Sequence, residues 1–156
     1  MMRSAGVCHL LCQCRSNAST ATRDWWNQRR GLFHCVTSDE TLAEVARGDA
    51  EQARLRLAAL AGIPTLSITA EAAELAAQFL STGALPAAAR SDAVHLAVAA
   101  VSRTDYLLTW NCRHLANAQI LRRLGTEAVR FGWKLPTVCT RLELMGDTAN
   151  EDRSDS

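Results

Sequence analysis

Apolar and polar positions alternate along the chain in a way that predicts helices and strands following one another from residue 24 onward. Short runs rich in leucine and β-branched residues predict strands, and they fall at 32–36, 65–68, 106–110 and 137–140. Between these runs, apolar residues recur at spacings of three and four, which predicts helices with one buried face. Strands that alternate with helices are typical of an α/β domain with a parallel sheet.

Capping residues mark where the predicted helices begin. The segments 37–40 and 49–52 both have the spacing of a capping box, in which a short polar residue is followed three positions later by Glu or Gln. Thr69 and Ser91 precede two further apolar segments and are predicted to be N-caps. Glycines follow the predicted helices as stop residues: Gly48, Gly62, Gly83 and Gly132. The pattern therefore predicts both ends of most helices.

Composition supports one soluble globular domain and excludes a wholly disordered or fibrous chain. Of the 156 residues, 48% are hydrophobic and 21% are charged, and the formal net charge is +1. A charge so close to zero neither supports nor excludes RNA as a partner, because a bound cation can recruit phosphate without a basic surface.

The short apolar stretch at 5–12 cannot span a bilayer, so we expect no membrane association. Single cysteines in apolar runs fit a reducing cytoplasm, where we expect the protein to act.

The amino end differs in character from the rest of the chain. We predict an atypical N-terminal segment at 1–21, one domain at 22–146 and a polar, disordered tail at 147–156. The first segment contains a group that could be read as zinc ligands: Cys8, His9, Cys12 and Cys14. Structural zinc sites normally use two well-spaced pairs of ligands, which this group lacks, so we do not expect it to bind zinc.

Three polar residues stand where the predicted sheet would present its carboxyl edge, which is where parallel sheets bind ligands. Glu44 lies on the helix after the first predicted strand, Asp92 opens an apolar helix, and Asn111 directly follows the strand at 106–110. Their oxygen atoms suit a hard cation such as Mg²⁺. Taken singly, each also fits an ordinary role, as a solvated helix residue, a partner of the helix dipole and a turn former.

Three ordered segments resemble successive motifs of PIN domains of the VapC toxin family. They are SDETLAEVARGD at 38–49, RSDAVHLA at 90–97 and LLTWNCRHL at 107–115, and the resemblance extends from about residue 22 to 145. It implies a three-layer fold with helices on both faces of a parallel sheet. It also implies an endonuclease of single-stranded RNA that depends on Mg²⁺ or Mn²⁺ and is restrained by a cognate antitoxin, and a homodimer is possible.

The resemblance also assigns roles to the three polar residues. Glu44 matches the second acidic position of the family, Asp92 the third, and Asn111 the fourth, which is Asp in many members and Asn in others. All three would then be both catalytic residues and metal ligands. With Asn111 neutral, the site would contribute a formal charge of about −2.

The chain departs from the family at its amino end, where such domains begin with a strand that ends in an acidic residue followed by Thr or Ser. No Asp or Glu precedes Asp24. A strand at 6–12 would supply His9 and cysteines instead of a carboxylate. We therefore expect the opening strand to be missing or degenerate and the segment 1–19 to be poorly packed. A truncated start, a shifted reading frame and a decayed copy would each produce such an end.

Two functions follow from this departure. One is a metal-dependent endonuclease of single-stranded RNA whose activity is impaired by the missing acidic residue. The alternative is a catalytically inactive PIN-domain remnant that binds RNA or an antitoxin.

Overall fold

The structure, a computed structural model, describes residues 6–10, 20–109, 115, 117–140 and 143. Its strands all run parallel and stand in the order β3-β2-β1-β4-β5. Their bounds are β1 Val7–Leu10, β2 His34–Ser38, β3 Thr65–Leu66, β4 Tyr106–Leu108 and β5 Thr137–Cys139. The α-helices are α1 Thr20–Gln28, α2 Asp39–Val45, α3 Ala50–Leu60, α4 Ala70–Ser81, α5 Arg90–Val101 and α6 Ala118–Arg130. The predicted α/β fold with a parallel sheet is confirmed.

The opening strand β1 lies at the centre of this sheet. It pairs with β2 on one side, where Cys8 faces Cys35, and with β4 on the other, where Leu10 faces Leu108. Cys8, His9 and Leu10 are fully buried. The expectation of a missing or poorly packed opening strand is therefore wrong for Val7–Leu10. A reduced cysteine packs as a small hydrophobic residue, so β1 interrupts its apolar surface only at the imidazole.

Side chains alternate across the sheet, and helices cover both of its faces, as a three-layer domain requires. On one face, Cys8 and Leu10 of β1 pack with Leu108, Cys139 and Trp25 of α1. On the other face, Leu107 joins the larger cluster formed by α4, α5 and α6. Helix α5 is the most enclosed helix, because every residue from 92 to 100 is buried. The main core thus lies between the sheet and α5.

Side-chain caps start α3 and α4 where the sequence predicts them. Asp49 and Thr69 accept hydrogen bonds from Gln52 N and Ala72 N at 3.0 and 3.2 Å, which confirms both predicted N-caps. Helix α2 begins one residue later than the predicted capping box, because Ser38 rather than Thr37 accepts from Thr41 N.

The prediction that Ser91 caps α5 is wrong. The N-cap is Ala89, which ends a 3₁₀ turn at Ala87–Ala89 and has no capping side chain. This turn leads the chain directly into the helix, so Ser91 falls in the first turn of α5 and its hydroxyl is used elsewhere. Within the described ranges, no helix is long and apolar enough to cross a membrane.

Candidate functional site

The site lies at the carboxyl edge of the sheet, where the central strands end side by side. Thr37 near the end of β2 donates through Oγ1 to the carbonyl oxygen of Leu10, the last residue of β1, at 3.3 Å. Helix α2 starts directly at the end of β2, and its second turn brings Glu44 to α5. The end of β2, which is bonded to the end of β1, therefore fixes where α2 begins.

Glu44 meets α5 through a hydrogen bond with His95. The atoms Nε2 of His95 and Oε2 of Glu44 are 2.9 Å apart, and the two side chains are 1% and 16% exposed. One turn earlier on each helix, the hydroxyl of Ser91 donates to the carboxylate of Glu40. Glu40 and Glu44 thus face Ser91 and His95 along one contact between α2 and α5.

The surroundings of Glu44 favour its ionised form. Burial acts to raise the pKa of this carboxyl, but His95, Ser91 and Arg47 oppose it. The hydrogen bond and charge of His95, the nearby hydroxyl of Ser91 and the charge of Arg47 together hold the pKa below its ordinary value. Glu44 is therefore a carboxylate at neutral pH.

Asp92 lies in the first turn of α5 and is 5% exposed. The positive end of the helix dipole favours a negative charge at this position. Asp92 is three residues before His95, and residues at that spacing are neighbours on a helix surface. Glu44 of α2 contacts His95 of α5, so Glu44 and Asp92 lie on two helices that contact each other. The third predicted residue, Asn111, lies outside the described residues.

His9 of β1 lies beneath this contact, on the face of the sheet that α5 covers. Its ring centroid is 6.5 Å from that of His95, with the ring planes at 74°. Burial, and then the neighbouring charge of His95, lower the pKa of His9 to about 3. Within the described part of the chain, neither ring nitrogen of His9 has a hydrogen-bond partner. A neutral imidazole is therefore enclosed at the centre of the domain.

The zinc reading of the amino end finds no support in this arrangement. Cys8 packs on the face covered by α1, whereas His9 faces α5, because neighbouring residues of a strand point to opposite sides. The two side chains therefore cannot share one tetrahedral ion. Cys12 and Cys14 lie outside the described residues.

The carboxylate oxygens of Glu44 and Asp92 suit a hard divalent cation, but they can supply only some of its ligands. Carboxylate oxygens are the ligands that Mg²⁺ and Mn²⁺ prefer. One oxygen of Glu44 accepts from His95, yet a carboxylate has about four acceptor positions and keeps capacity for a cation. No group of three His, Cys, Asp or Glu residues able to hold a metal ion occurs among the residues that the structure describes. The described pair would need further ligands from water, substrate or another residue.

Sequence reasoning missed Ser91 and His95 of α5 as the hydrogen-bond partners of Glu40 and Glu44 of α2. Glu40 and Glu44 are four residues apart, and so are Ser91 and His95. That equal spacing shows which residues share a helix face, but it does not specify which faces meet.

Comparisons with known proteins add no assignment. A search with protein-family models found none that matches the chain, and a search of curated proteins found no significant match.

Proposed function

We propose that this domain is a divalent-cation-dependent endonuclease of single-stranded RNA, similar in type to VapC toxins and slow in its reaction. One observation carries the proposal: an ionised, partly buried Glu44 is held beside the helical turn that bears Asp92. Carboxylates on adjacent helices near the carboxyl edge of a parallel sheet lie where such sheets bind ligands. The motif resemblance indicates which ligand they bind.

A bound Mg²⁺ or Mn²⁺ would neutralise charge on the scissile phosphodiester and lower the pKa of an attacking water. Glu44 and Asp92 would hold this cation, and Asn111 would add a neutral oxygen ligand. His95 hydrogen-bonds the Glu44 carboxylate, and the dipole of α5 favours the charge of Asp92. Glu44 and Asp92 would thus both bind the cation through carboxylate oxygens.

The slow rate follows from the composition of β1. Residues 6–10 at the centre of the sheet contain no carboxylate, and the polar side chain of this segment is the buried, neutral His9. A site with a charge of about −2 anchors Mg²⁺ less firmly than one with a further carboxylate. We propose further that a cognate antitoxin restrains the protein in the cytoplasm, which rests on the motif resemblance alone.

The test is cleavage of a single-stranded RNA by the purified protein with Mg²⁺ or Mn²⁺. We expect a turnover below about 1 s⁻¹, which is at the low end for enzymes. Cleavage should stop with EDTA and in Asp92→Asn. Glu74→Gln, which changes an exposed acidic residue on α4, serves as the matched control and should cleave normally. Cleavage that persists in Asp92→Asn would contradict the proposal.

A second candidate is a domain that binds RNA or an antitoxin without cleaving RNA. The lack of a carboxylate in residues 6–10 at the centre of the sheet favours this candidate. Fluorescence anisotropy with a labelled RNA separates the two. Binding without any cation-dependent cleavage would support the inactive form.

A further inference from the structure

Two hydrogen bonds with the same sequence separation join α2 to α5. Ser91 donates to the carboxylate of Glu40, and His95 binds Glu44 through Nε2 at 2.9 Å, so each bond links residues 51 positions apart. Glu40 and Glu44 are one helical turn apart on α2, as are Ser91 and His95 on α5. We name this pair of bonds the α2–α5 ladder.

The ladder holds a short helix against α5. Helix α2 has seven residues, and its buried residues are Thr41 and Val45. A helix of this length is not stable alone, so tertiary contacts decide its orientation. Hydrogen bonds to a carboxylate are roughly twice as strong as those between neutral groups. The direction of the Glu44 side chain therefore depends on its bond to α5.

The geometry of this contact leads to an inference about His95. We propose that His95 is a positioning residue for Glu44, and that the α2–α5 ladder sets the direction of the Glu44 carboxylate at the edge of the sheet. The coupling between these two side chains rests on their contact, whereas its effect on cation binding rests on the proposed function.

The surroundings of His95 support this role. The ring is almost fully enclosed, and its Nδ1 atom has no hydrogen-bond partner within the described ranges. The polar contact that fixes the ring rotation is therefore the one between Nε2 and Glu44. His9 packs against the same ring from β1. The imidazole is held between the sheet and α2.

A double-mutant cycle tests the coupling without any cation. Chemical unfolding is measured for the wild type, Glu44→Ala, His95→Leu and the double variant. We expect the two changes to be non-additive by about tenfold in the unfolding equilibrium constant. As a control, Glu74→Ala combined with His95→Leu should be additive, because Glu74 lies exposed on α4. His95→Met is the second apolar variant if His95→Leu does not fold.

A conservative variant separates positioning from packing. In His95→Gln the side-chain amide can donate from nearly the same place as Nε2, so the coupling to Glu44 should return. Binding of Mn²⁺ alone should weaken by about tenfold or more in His95→Leu and largely recover in His95→Gln.

Additive behaviour of Glu44→Ala and His95→Leu would overturn the proposal, and so would measurable Mn²⁺ binding of equal affinity in His95→Leu and the wild type. If the cycle shows coupling but the wild type binds no Mn²⁺, the positioning of Glu44 stands and the proposed function fails.

Discussion

His9 and His95 meet edge to face inside the domain, with ring centroids 6.5 Å apart. One belongs to the central strand and the other to the most enclosed helix, so the pair joins the sheet to the layer above it. Both nitrogens of His9 and Nδ1 of His95 have no hydrogen-bond partner among the described residues. Buried polar atoms without a partner cost free energy, so this contact is a weak point of the core.

The first prediction concerns acid stability. In the folded state the pKa of His9 is lowered to about 3 from its ordinary 6.5, so the unfolded state binds more protons between these values. The free energy of unfolding should therefore fall as pH drops below about 6.5, by up to about 1.4 kcal/mol per pH unit from this residue. His9→Leu should remove that part of the slope and stabilise the domain by about 1 kcal/mol at pH 7.5.

Urea unfolding between pH 7.5 and 4 measures both effects. His34→Gln, which changes an exposed histidine on β2, is the matched control. An unchanged pH slope in His9→Leu would mean that the imidazole of His9 is not buried in its neutral form.

The second prediction concerns β1 itself. Because Val7–Leu10 pairs with strands on both sides, its hydrogen-bonded amides should exchange with solvent more slowly than those of Thr65–Leu66 in the short strand β3. Hydrogen exchange followed by NMR provides the comparison. Faster exchange in β1 than in β3 would contradict this prediction and would instead fit the expectation of a poorly packed opening segment.

Much of the fold could be predicted from local patterns. The spacing of apolar residues and the caps Asp49 and Thr69 placed helices where the structure has them. The central strand could not be predicted in this way. His9 interrupts its apolar run, and its position depends on pairing with β2 and β4, which are far away in sequence. Pairing with strands distant in sequence, rather than local composition, therefore makes Val7–Leu10 a central strand.

The site could be predicted only in part. Motif resemblance selected Glu44 and Asp92, and the structure places them on adjacent helices. The link through His95 joins residues 51 positions apart, so no local pattern specifies it. Asn111 lies outside the described residues, and its role stays a prediction.

The third prediction concerns the carboxyl end of α2. Arg56 of α3 donates through Nε to Val45 O at 3.1 Å and through a terminal nitrogen to Arg47 O at 2.7 Å. These bonds satisfy carbonyl groups that a helix end leaves without partners. Arg56→Met should destabilise the domain by about 1 kcal/mol. Arg56→Lys should recover only part of this loss, because an ammonium group lacks the planar arrangement of donors.

Thermal unfolding of these variants checks the prediction. Arg54→Met is the control on the same helix, since Arg54 pairs with Glu51 on the exposed surface and should matter less. Equal effects of Arg54→Met and Arg56→Met would show that the bonds to α2 do not stabilise the fold.

Binding of Mn²⁺, followed by the loss of its free electron paramagnetic resonance signal, tests most directly whether Glu44 and Asp92 hold a divalent cation. We predict one weak site in the wild type that is lost in Glu44→Gln and in Asp92→Asn and is retained in Glu74→Gln, because only the first two changes remove a carboxylate from the proposed site. Mn²⁺ binding that is equally strong in the wild type and in Asp92→Asn would contradict this account.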